Sequence, residues 1–329
     1  MCILVVSTVA DTHACAVIDT LARQGEQVEL LDLADYPSKL TLTLAYANGD
    51  RRFRLSRPGE GQLDLACVRS VWWRRPSAFA LPDALRDPGH RKLALSEAST
   101  AFSGLYEAMH ALWINQPSRN AAASHKPFQL ALAQELGLEI PDTVMTSDPE
   151  EARTFWRSCD GDVIYKQFIA LPEAWAETRR LGDAEQKLAD STLRVAPVIF
   201  QRHVPAVADL RVTVVGDEVF AAAADVRGLE YQTDVRLNLD VRHAAHRLPD
   251  AIEDRLRALM RRLGLVYGAI DLRLTPDGRY VFLEINPAGQ FLFIEQSTGQ
   301  KITAALAARL AAGLAAGLAA GLPAGLGAG

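Results

Sequence analysis

The chain has 329 residues, of which 49% are hydrophobic and 23% are charged, the balance of a globular protein with two or three packed units. No apolar run reaches the roughly 18–20 residues of a membrane-spanning helix, and the start MCILVVSTVADTH lacks a secretory signal, so we expect a cytoplasmic protein. The net charge of -5 disfavours bulk binding to nucleic acid. Structural zinc and a disulfide framework are disfavoured because no two cysteines have a paired spacing: Cys2, Cys15, Cys67 and Cys159.

The start of the chain predicts a strand, a helix and a second strand. The run CILVVS is continuously apolar, as in a parallel strand that is covered on both faces. The segment THACAVIDTLARQG is amphipathic and ends at Gly25, and QVELLDL follows as a strand. The first turn, STVADTHA, has no G-x-G-x-x-G pattern, so a dinucleotide site is not indicated.

A hairpin, a strand and a helix complete this first α/β unit. The runs LTLTLAY and RRFRLS flank ANGD, and Asn-Gly between alternating runs predicts a β-hairpin. LACVRSVWWRRP predicts a strand that ends at Pro76. Residues 91–114 have apolar side chains at helical spacing: Leu95, Phe102, Leu105, Met109 and Leu112.

A second unit begins near residue 116. PFQLALAQELG predicts a helix of about three turns that ends at Gly137. The segment 170–195 is polar with weak periodicity, and we expect helix and loop there. DVIYKQF predicts a strand with three side chains on one face: Ile164, Lys166 and Phe168.

The last third of the chain predicts more strands and one clear helix. APVIFQRHV is a strand, and DLRVTVVGDEVFAAAADVRG predicts two antiparallel strands around Gly216-Asp217. AIEDRLRALMRRLGL has one apolar stripe, as in an amphipathic helix. The final LAAGLAAGLAAGLPAGLGAG is of low complexity, and only its first half is expected to extend the preceding helix.

The last predicted hairpin carries acids within apolar strands. Alternation places Asp271 and Arg273 on one face of the first strand, and Glu284 and Asn286 on one face of the second. A four-residue connection, 276–279, would pair Asp271 with Glu284, and a slip by one residue would separate them unless a bulge corrects it. Two neighbouring carboxylates with an amide oxygen predict a magnesium site, whereas each acid alone is also consistent with a salt bridge.

Several cations are candidates for binding phosphate. Lys166 lies in an apolar strand, where an unpaired ammonium is costly. Lys126 lies just before a predicted helix start, close to where phosphate is favoured. An exposed lysine is the alternative for Lys126. Arg211 and Arg236 lie between β-forming residues, and each follows an aspartate two positions earlier, so a structural Asp-Arg pair is the alternative for both.

The order of these motifs resembles the ATP-grasp ligases. The resemblance covers about residues 116–310 and rests on the following set: Lys126, Lys166, VIFQRHV, DLRVTVVG, GAIDLRL and FLEINPAGQF. Together with VWWRRP and DVR, the ending FLEINPAGQFLFIEQSTGQKI resembles the graspetide maturases, the ribosomal peptide maturase branch typified by microviridin cyclising ligases.

The resemblance implies an α/β (α+β ATP-grasp) fold. An N-terminal pre-ATP-grasp α/β domain would precede two ATP-grasp subdomains whose antiparallel sheets enclose ATP. The implied limits are 1–115 for the first domain, 116–199 for the central subdomain, 200–312 for the C-terminal subdomain with the magnesium site, and 313–329 for the tail.

The resemblance also implies the residues that bind ATP. Lys126 and Lys166 would contact the phosphates. Gln201 and Val204 would hold the adenine edge largely through backbone groups, and Asp209 would hold the ribose.

The remaining implied roles concern the metal and the reacting groups. Arg211 and Arg236 would stabilise the transferring phosphoryl group or orient the substrate carboxylate, and Arg273 would contact the substrate acid. Magnesium, as two ions, would be bound by three side chains: Asp271, Glu284 and Asn286.

By this resemblance the chain is an ATP-dependent macrocyclase that acts on a ribosomal precursor peptide. Asp or Glu carboxylates would be activated as acyl phosphates and joined to Ser/Thr hydroxyls or Lys amines, and a homodimer would be typical of the family. A ligase of free amino acids or small carboxylates is the rival enzyme. A catalytically silent nucleotide-binding or peptide-docking module is the rival outside enzymes, although a silent module has no need for buried acids.

The motif VWWRRP has two interpretations. Adjacent tryptophans point to opposite faces of a strand, so at least one is expected in the core. The motif is then either a core strand with an arginine at its end, or a domain seam or peptide-contact surface, which the resemblance favours.

Overall fold

The computed structural model describes residues 1–59, 61–169, 179–182, 193–227 and 242–313. Its strands are β1 Cys2–Val6, β2 Val28–Leu31, β3 Thr41–Ala47, β4 Asp50–Arg57, β5 Gly61–Asp64, β6 Val68–Trp73, β7 Leu112–Ile114, β8 Thr143–Thr146, β9 Val163–Lys166, β10 Arg179–Arg180, β11 Val198–Arg202, β12 Ala208–Val215, β13 Glu218–Asp225, β14 His243–Ala245, β15 Tyr267–Leu274 and β16 Tyr280–Asn286. Its helices are α1 Thr12–Arg23, α2 Pro88–Ala108, α3 Pro117–Ala123, α4 Lys126–Glu135, α5 Pro149–Ser158, α6 Asp250–Leu263, α7 Leu292–Thr298 and α8 Ile302–Ala312.

The first sheet is parallel, with strand order β2-β1-β6-β7. Every residue of β1 is buried, as its continuous apolar run predicts. Ile3 packs on one side with α1 and α8, and Leu4 packs on the other side with α2 and the hairpin β3-β4. Asp11 caps α1, because its carboxylate accepts from the backbone N–H groups of His13 and Ala14.

The predicted helix at 91–114 is partly wrong. Helix α2 ends at Ala108, and Leu112 lies in β7, which pairs with β6. Leu112 and Ile114 are buried in the strand, and pairing with β6 also satisfies their backbone groups. Apolar spacing alone could not separate these outcomes, because both bury Leu112.

The second sheet is antiparallel, with order β10-β9-β11-β8. Val163 and Phe200 face a small core beneath α5. The opposite face carries Ile164 and Lys166, which pair across the ladder with Gln201 and Ile199. The predicted placement of Ile164 and Lys166 on one face is therefore confirmed.

The third sheet is antiparallel, with order β14-β13-β12-β15-β16. The predicted turn at Gly216-Asp217 is confirmed as the connection between β12 and β13. Helices α4 and α6 pack on one face of this sheet, and α6 buries the predicted apolar stripe there, including Leu256, Leu259 and Leu263. The acids of the last hairpin belong to the other face.

The C-terminal helix α8 packs on α1 and β6, so the end of the described chain contacts the first sheet, which is formed by its beginning. Residues 314–329 of the tail lie outside the described residues. Among the described helices, none is long and apolar enough to cross a membrane.

Candidate active site

The last hairpin brings two acids and an amide to one face. Asp271 pairs directly with Glu284, and Asn286 follows two residues later on the same strand. The connection has five residues, 275–279, instead of the predicted four, because Leu274 pairs with Tyr280. A bulge on β16 restores the register beyond Leu272, so the pairing is right although the loop length is wrong.

Each acid has a cation beside it. The Nζ of Lys126, the first residue of α4, forms an ion pair with Oε2 of Glu284. Nη1 of Arg211 on β12 donates to Oδ1 of Asp271 at 2.7 Å. The Asp271 and Glu284 side chains are each 33% exposed, so the ion pairs lie at a partly accessible surface, which we call the cleft, rather than in the core.

These residues fit magnesium by donor chemistry. Carboxylate and amide oxygens from Asp271, Glu284 and Asn286 are the ligands that Mg²⁺ prefers, and three of them leave positions for phosphate and water. Oδ1 of Asn286 accepts a hydrogen bond from the backbone N–H of Ala288 at 2.9 Å, which orients the amide. Within the described ranges, no cluster of three or more His, Cys, Asp or Glu side chains could hold a metal, so this set depends on its asparagine.

The predicted adenine residues lie where the second sheet passes into the third. Gln201 is 1% exposed, and its Nε2 donates to Oγ1 of Thr143 at 2.9 Å. Its Oε1 is buried and has no hydrogen-bond partner among the described residues, nor does Nε2 of His203. Buried polar atoms without partners are costly, by about 1–3 kcal/mol each, and are expected where a ligand supplies the partner.

Arg273 lies with the predicted nucleotide residues. Its Nε donates to Oδ1 of Asp209 at 2.9 Å, and its Nη1 donates to the carbonyl of Val204 at 2.8 Å. Arg273 is only 5% exposed. These contacts place Arg273 between β15 and residues 203–207, which join β11 to β12 and which we call the hinge. The predicted contact of Arg273 with the substrate acid stays a prediction.

Ion pairs run across the strands in this region. Arg211 pairs with Asp271, whereas the alternative suggested by the sequence was Asp209, two residues earlier on the same strand; Asp209 instead pairs with Arg273. Directly opposed residues on adjacent strands lie closer than residues two apart on one strand, which favours this arrangement. Arg236 lies outside the described residues, so its predicted role stays a prediction.

Residues 287–292, which we call the seam loop, are held by a cluster of polar side chains to which the sequence assigned no role. The Nη1 of Arg74 donates to the carbonyls of Ala288 and Gly289, the latter at 2.8 Å. The Arg74 side chain is buried, and its Nε lies 3.2 Å from Oδ2 of Asp11. VWWRRP therefore buries Trp72 in the core and contacts, through Arg74, the loop that follows β16.

Two further side chains hold the seam loop through its backbone. Nδ2 of Asn115 donates to the carbonyls of Tyr267 and Pro287, at 2.9 and 3.1 Å. Nδ1 of His13 accepts from the backbone N–H groups of Phe291 and Leu292, at 3.4 and 3.3 Å. Burial and nearby Arg74 lower the pKa of His13 to about 4, so the ring is a neutral acceptor at pH 7.

One sequence signal could have found this cluster. Arg74 and Asn115 each follow directly after a buried parallel strand, β6 and β7. The carboxyl ends of parallel strands meet at one edge of a sheet, so polar residues at those positions are candidates for one shared site.

Comparison with known proteins identifies the fold. Residues 2–121 match the family model of the MvdD pre-ATP grasp domain. The macrocyclase MdnC from Microcystis aeruginosa MRC, solved with precursor peptide MdnA, is 29% identical with a TM-score of 0.84, and the match covers 94% of this chain and 99% of that chain. No curated protein sequence matches the chain.

Two other solved structures are similar over the same length. A RiPP-associated ATP-grasp ligase from Chryseobacterium gregarium, solved with ADP and a leader and core peptide, is 28% identical with a TM-score of 0.86, covering 94% of this chain and 97% of that chain. The ATP-grasp ligase PsnB, solved with a precursor variant, Mg and ADP, is 28% identical with a TM-score of 0.76 and the same coverage. The chain is thus similar over nearly its whole length to solved ATP-grasp ligases, and these include ribosomal-peptide macrocyclases.

Proposed function

We propose that this protein is an ATP-dependent peptide macrocyclase of the graspetide type. The observation that carries the proposal is the pairing of Asp271 with Glu284 opposite the cations Lys126 and Arg211, in a chain that aligns along 94% of its length with peptide macrocyclases. Its substrates are ATP and a ribosomal precursor peptide with leader and core. The products are ester or amide cross-links, ADP and phosphate.

The chemistry follows from the poor reactivity of a carboxylate. Its oxygen is a bad leaving group, so the γ-phosphoryl group of ATP is first transferred to an Asp or Glu side chain of the peptide. A Ser/Thr hydroxyl or a Lys amine then attacks the acyl phosphate, and phosphate leaves. Each bond therefore removes the equivalent of one water from the peptide.

The charged residues of the cleft have separate parts in this proposal. Lys126 and Lys166 bind the phosphates of ATP, and Arg211 stabilises the transferring phosphoryl group or orients the acid. Arg236 is proposed to have the same role as Arg211. Magnesium, bound by Asp271, Glu284 and Asn286, neutralises charge that develops on the phosphates.

Binding of the base is proposed at the hinge. Gln201 and Val204 contact adenine, and Asp209 contacts the ribose while Arg273 keeps its carboxylate in place. Support comes from the buried Oε1 of Gln201, an acceptor suited to the amino group of adenine.

Mass spectrometry of a precursor peptide tests the proposal. The peptide to test is a short precursor with repeated Thr and Glu or Asp residues, sought among the reading frames beside this gene. With ATP and Mg²⁺, its mass should fall by one water for each bond formed, and it should stay constant when ATP is omitted. An unchanged mass, with ADP released in the presence of free amino acids, would instead assign the enzyme to small carboxylates.

Three further expectations, on domain limits, assembly and location, accompany this proposal. The domain limits are 1–115, 116–199 and 200–312, which limited proteolysis would test. The assembly is a homodimer, which light scattering would test. The location is proposed to be cytoplasmic, which cell fractionation would test.

A further inference from the structure

The seam loop, 287–292, fills the crevice at the carboxyl edge of the first sheet. In open α/β sheets this crevice, beside the point where strand order reverses, commonly binds ligands. Here Arg74 follows β6, Asn115 follows β7, and His13 lies in the first turn of α1, and all three bond to backbone groups of the loop. The first sheet therefore binds a segment of its own chain where many such sheets bind a small molecule.

Arg74 contacts the loop from a buried position. The residue is 1% exposed, its Nη1 donates to two loop carbonyls, and its Nε lies at the ion-pair distance of 3.2 Å from Oδ2 of Asp11. Asp11 is itself held, because it caps α1 and accepts from Oγ of Ser7 at 3.3 Å. A guanidinium can bind carbonyls and a carboxylate with different nitrogens in one plane, which an ammonium cannot do.

The seam loop is in turn connected to the cleft. It begins directly after Asn286, whose Oδ1 accepts from the N–H of Ala288. Its Gln290 carbonyl accepts from Nη2 of Arg211 at 3.2 Å. At Gly289 a Cβ would lie 2.3 Å from Cβ of Ala269 and 2.9 Å from Nη2 of Arg211, so the loop packs closely on both strands.

We propose that Arg74 is a positioning residue for the metal-binding strand, acting through the seam loop. By binding the carbonyls of Ala288 and Gly289, it holds Asn286 and Arg211 in the orientation that metal-bound nucleotide requires. The first domain thereby contributes to phosphate chemistry without touching ATP or peptide. This inference rests on the proposed function for the identity of the nucleotide and metal.

Nucleotide binding with and without metal tests this role. Arg74→Met should weaken ADP binding in the presence of Mg²⁺ by about tenfold or more, as changes behind metal ligands commonly do. Binding of ADP in EDTA should change by less than about twofold, because Lys126, Lys166 and the hinge are untouched. The neighbouring Arg75 is exposed, so Arg75→Met is the matched control and should behave as the wild type in both conditions.

Hydrogen exchange supplies a measurement that needs no nucleotide. Amides of the seam loop should exchange faster in Arg74→Met than in the wild type, while Arg75→Met leaves them unchanged. Arg74→Lys should restore exchange protection and magnesium-dependent binding only in part. It also serves as the second variant if Arg74→Met folds poorly.

Two results would overturn the inference. Unchanged exchange of the seam loop in folded Arg74→Met would show that Arg74 does not hold it. Equal weakening of ADP binding with and without Mg²⁺ would show a general structural role. If the wild type fails to bind ADP with Mg²⁺, the proposed function fails instead, while the exchange experiment still decides whether Arg74 orders the loop.

Discussion

The seam, where the first sheet contacts residues 287–292, adjoins the cleft at the end of β16. The two regions hold their charged groups differently. At the seam, buried side chains bond to backbone groups, as Arg74 does with two carbonyls and Asn115 with two more. In the cleft, side chains pair with side chains, as Lys126 does with Glu284, and the acids are partly exposed. The seam contacts occupy largely buried backbone groups. In the cleft, a ligand from solvent can displace one partner of an ion pair.

The seam is therefore suited to holding the fold, and the cleft is suited to binding ligands that replace one partner of an ion pair. Removing a buried partner leaves an unpaired polar group, which costs about 1–3 kcal/mol and more for a charge. A surface ion pair contributes about 0–1 kcal/mol. The cleft acids are 33% exposed, so a bound phosphate or metal can reach them and replace one partner at a lower cost than in the core. Substitutions in the cleft should therefore reduce activity with little loss of stability, whereas substitutions at the seam should also reduce stability.

The largest effect on activity is expected in the cleft. Glu284→Gln keeps the shape of the side chain but removes the negative charge that binds magnesium and pairs with Lys126. ATP-dependent conversion of the peptide should fall by at least about a hundredfold. The measurement is peptide mass with ADP release, and circular dichroism should report an unchanged fold. Retained turnover would remove Glu284 from the metal site.

The buried pair behind the hinge should have the largest effect on stability. Arg273→Met leaves Asp209 without this cation in a largely buried position, so the free energy of unfolding should fall by about 3 kcal/mol. The matched control is Arg262→Met, which breaks a 3.0 Å ion pair between two exposed side chains and should cost about 0.5 kcal/mol or less. Urea denaturation measures both, and similar losses in the two variants would contradict the comparison.

A smaller, pH-dependent effect is expected at the seam. Burial lowers the pKa of His13 from 6.5 to about 4, so the unfolded chain binds more protons in this range. The contribution of His13 to stability is full above pH 6.5 and is lost as the pH falls towards 4, by at most about 3 kcal/mol. The charged groups that face the ring are Arg74, Asp11, Arg75 and Arg211.

The variant His13→Asn tests this pH dependence. The Asn Oδ1 takes the place of Nδ1 as acceptor for the Phe291 and Leu292 amides, but it does not titrate. Thermal denaturation between pH 6.5 and 4 should show a shallower loss of stability in the variant than in the wild type. Equal slopes would mean that His13 is not a source of the acid sensitivity.

Much of the cleft was predictable because strand alternation is a local property. The spacing of Asp271 from Arg273 and of Glu284 from Asn286 determines which side chains share a face, whatever packs around the strands. The same holds for Lys166, which lies on the face predicted from DVIYKQF. Helix α6 likewise buried its predicted stripe, because a period of 3.6 residues leaves one apolar side.

Other features depended on contacts between distant parts of the chain. The connection between β15 and β16 is one residue longer than predicted, and the bulge between Phe282 and Glu284 restores the pairing of Asp271 with Glu284. The sequence of the hairpin alone allows several registers. Leu112 became part of a strand because β6 offered a pairing partner. The loop carbonyls that Arg74 binds lie more than 200 residues away in sequence, so the position of Arg74 in its motif carries no information about them.

The sequence by itself therefore determined which residues could form a phosphate and metal site, because periodicity and residue chemistry act over a few positions. Only the tertiary structure decided which cations meet which acids, and that Arg273 faces the hinge. It also decided that the carboxyl edge of the first sheet is filled by the loop after Asn286. Those outcomes depend on long-range packing, in which each buried polar group must find a partner wherever the fold supplies one.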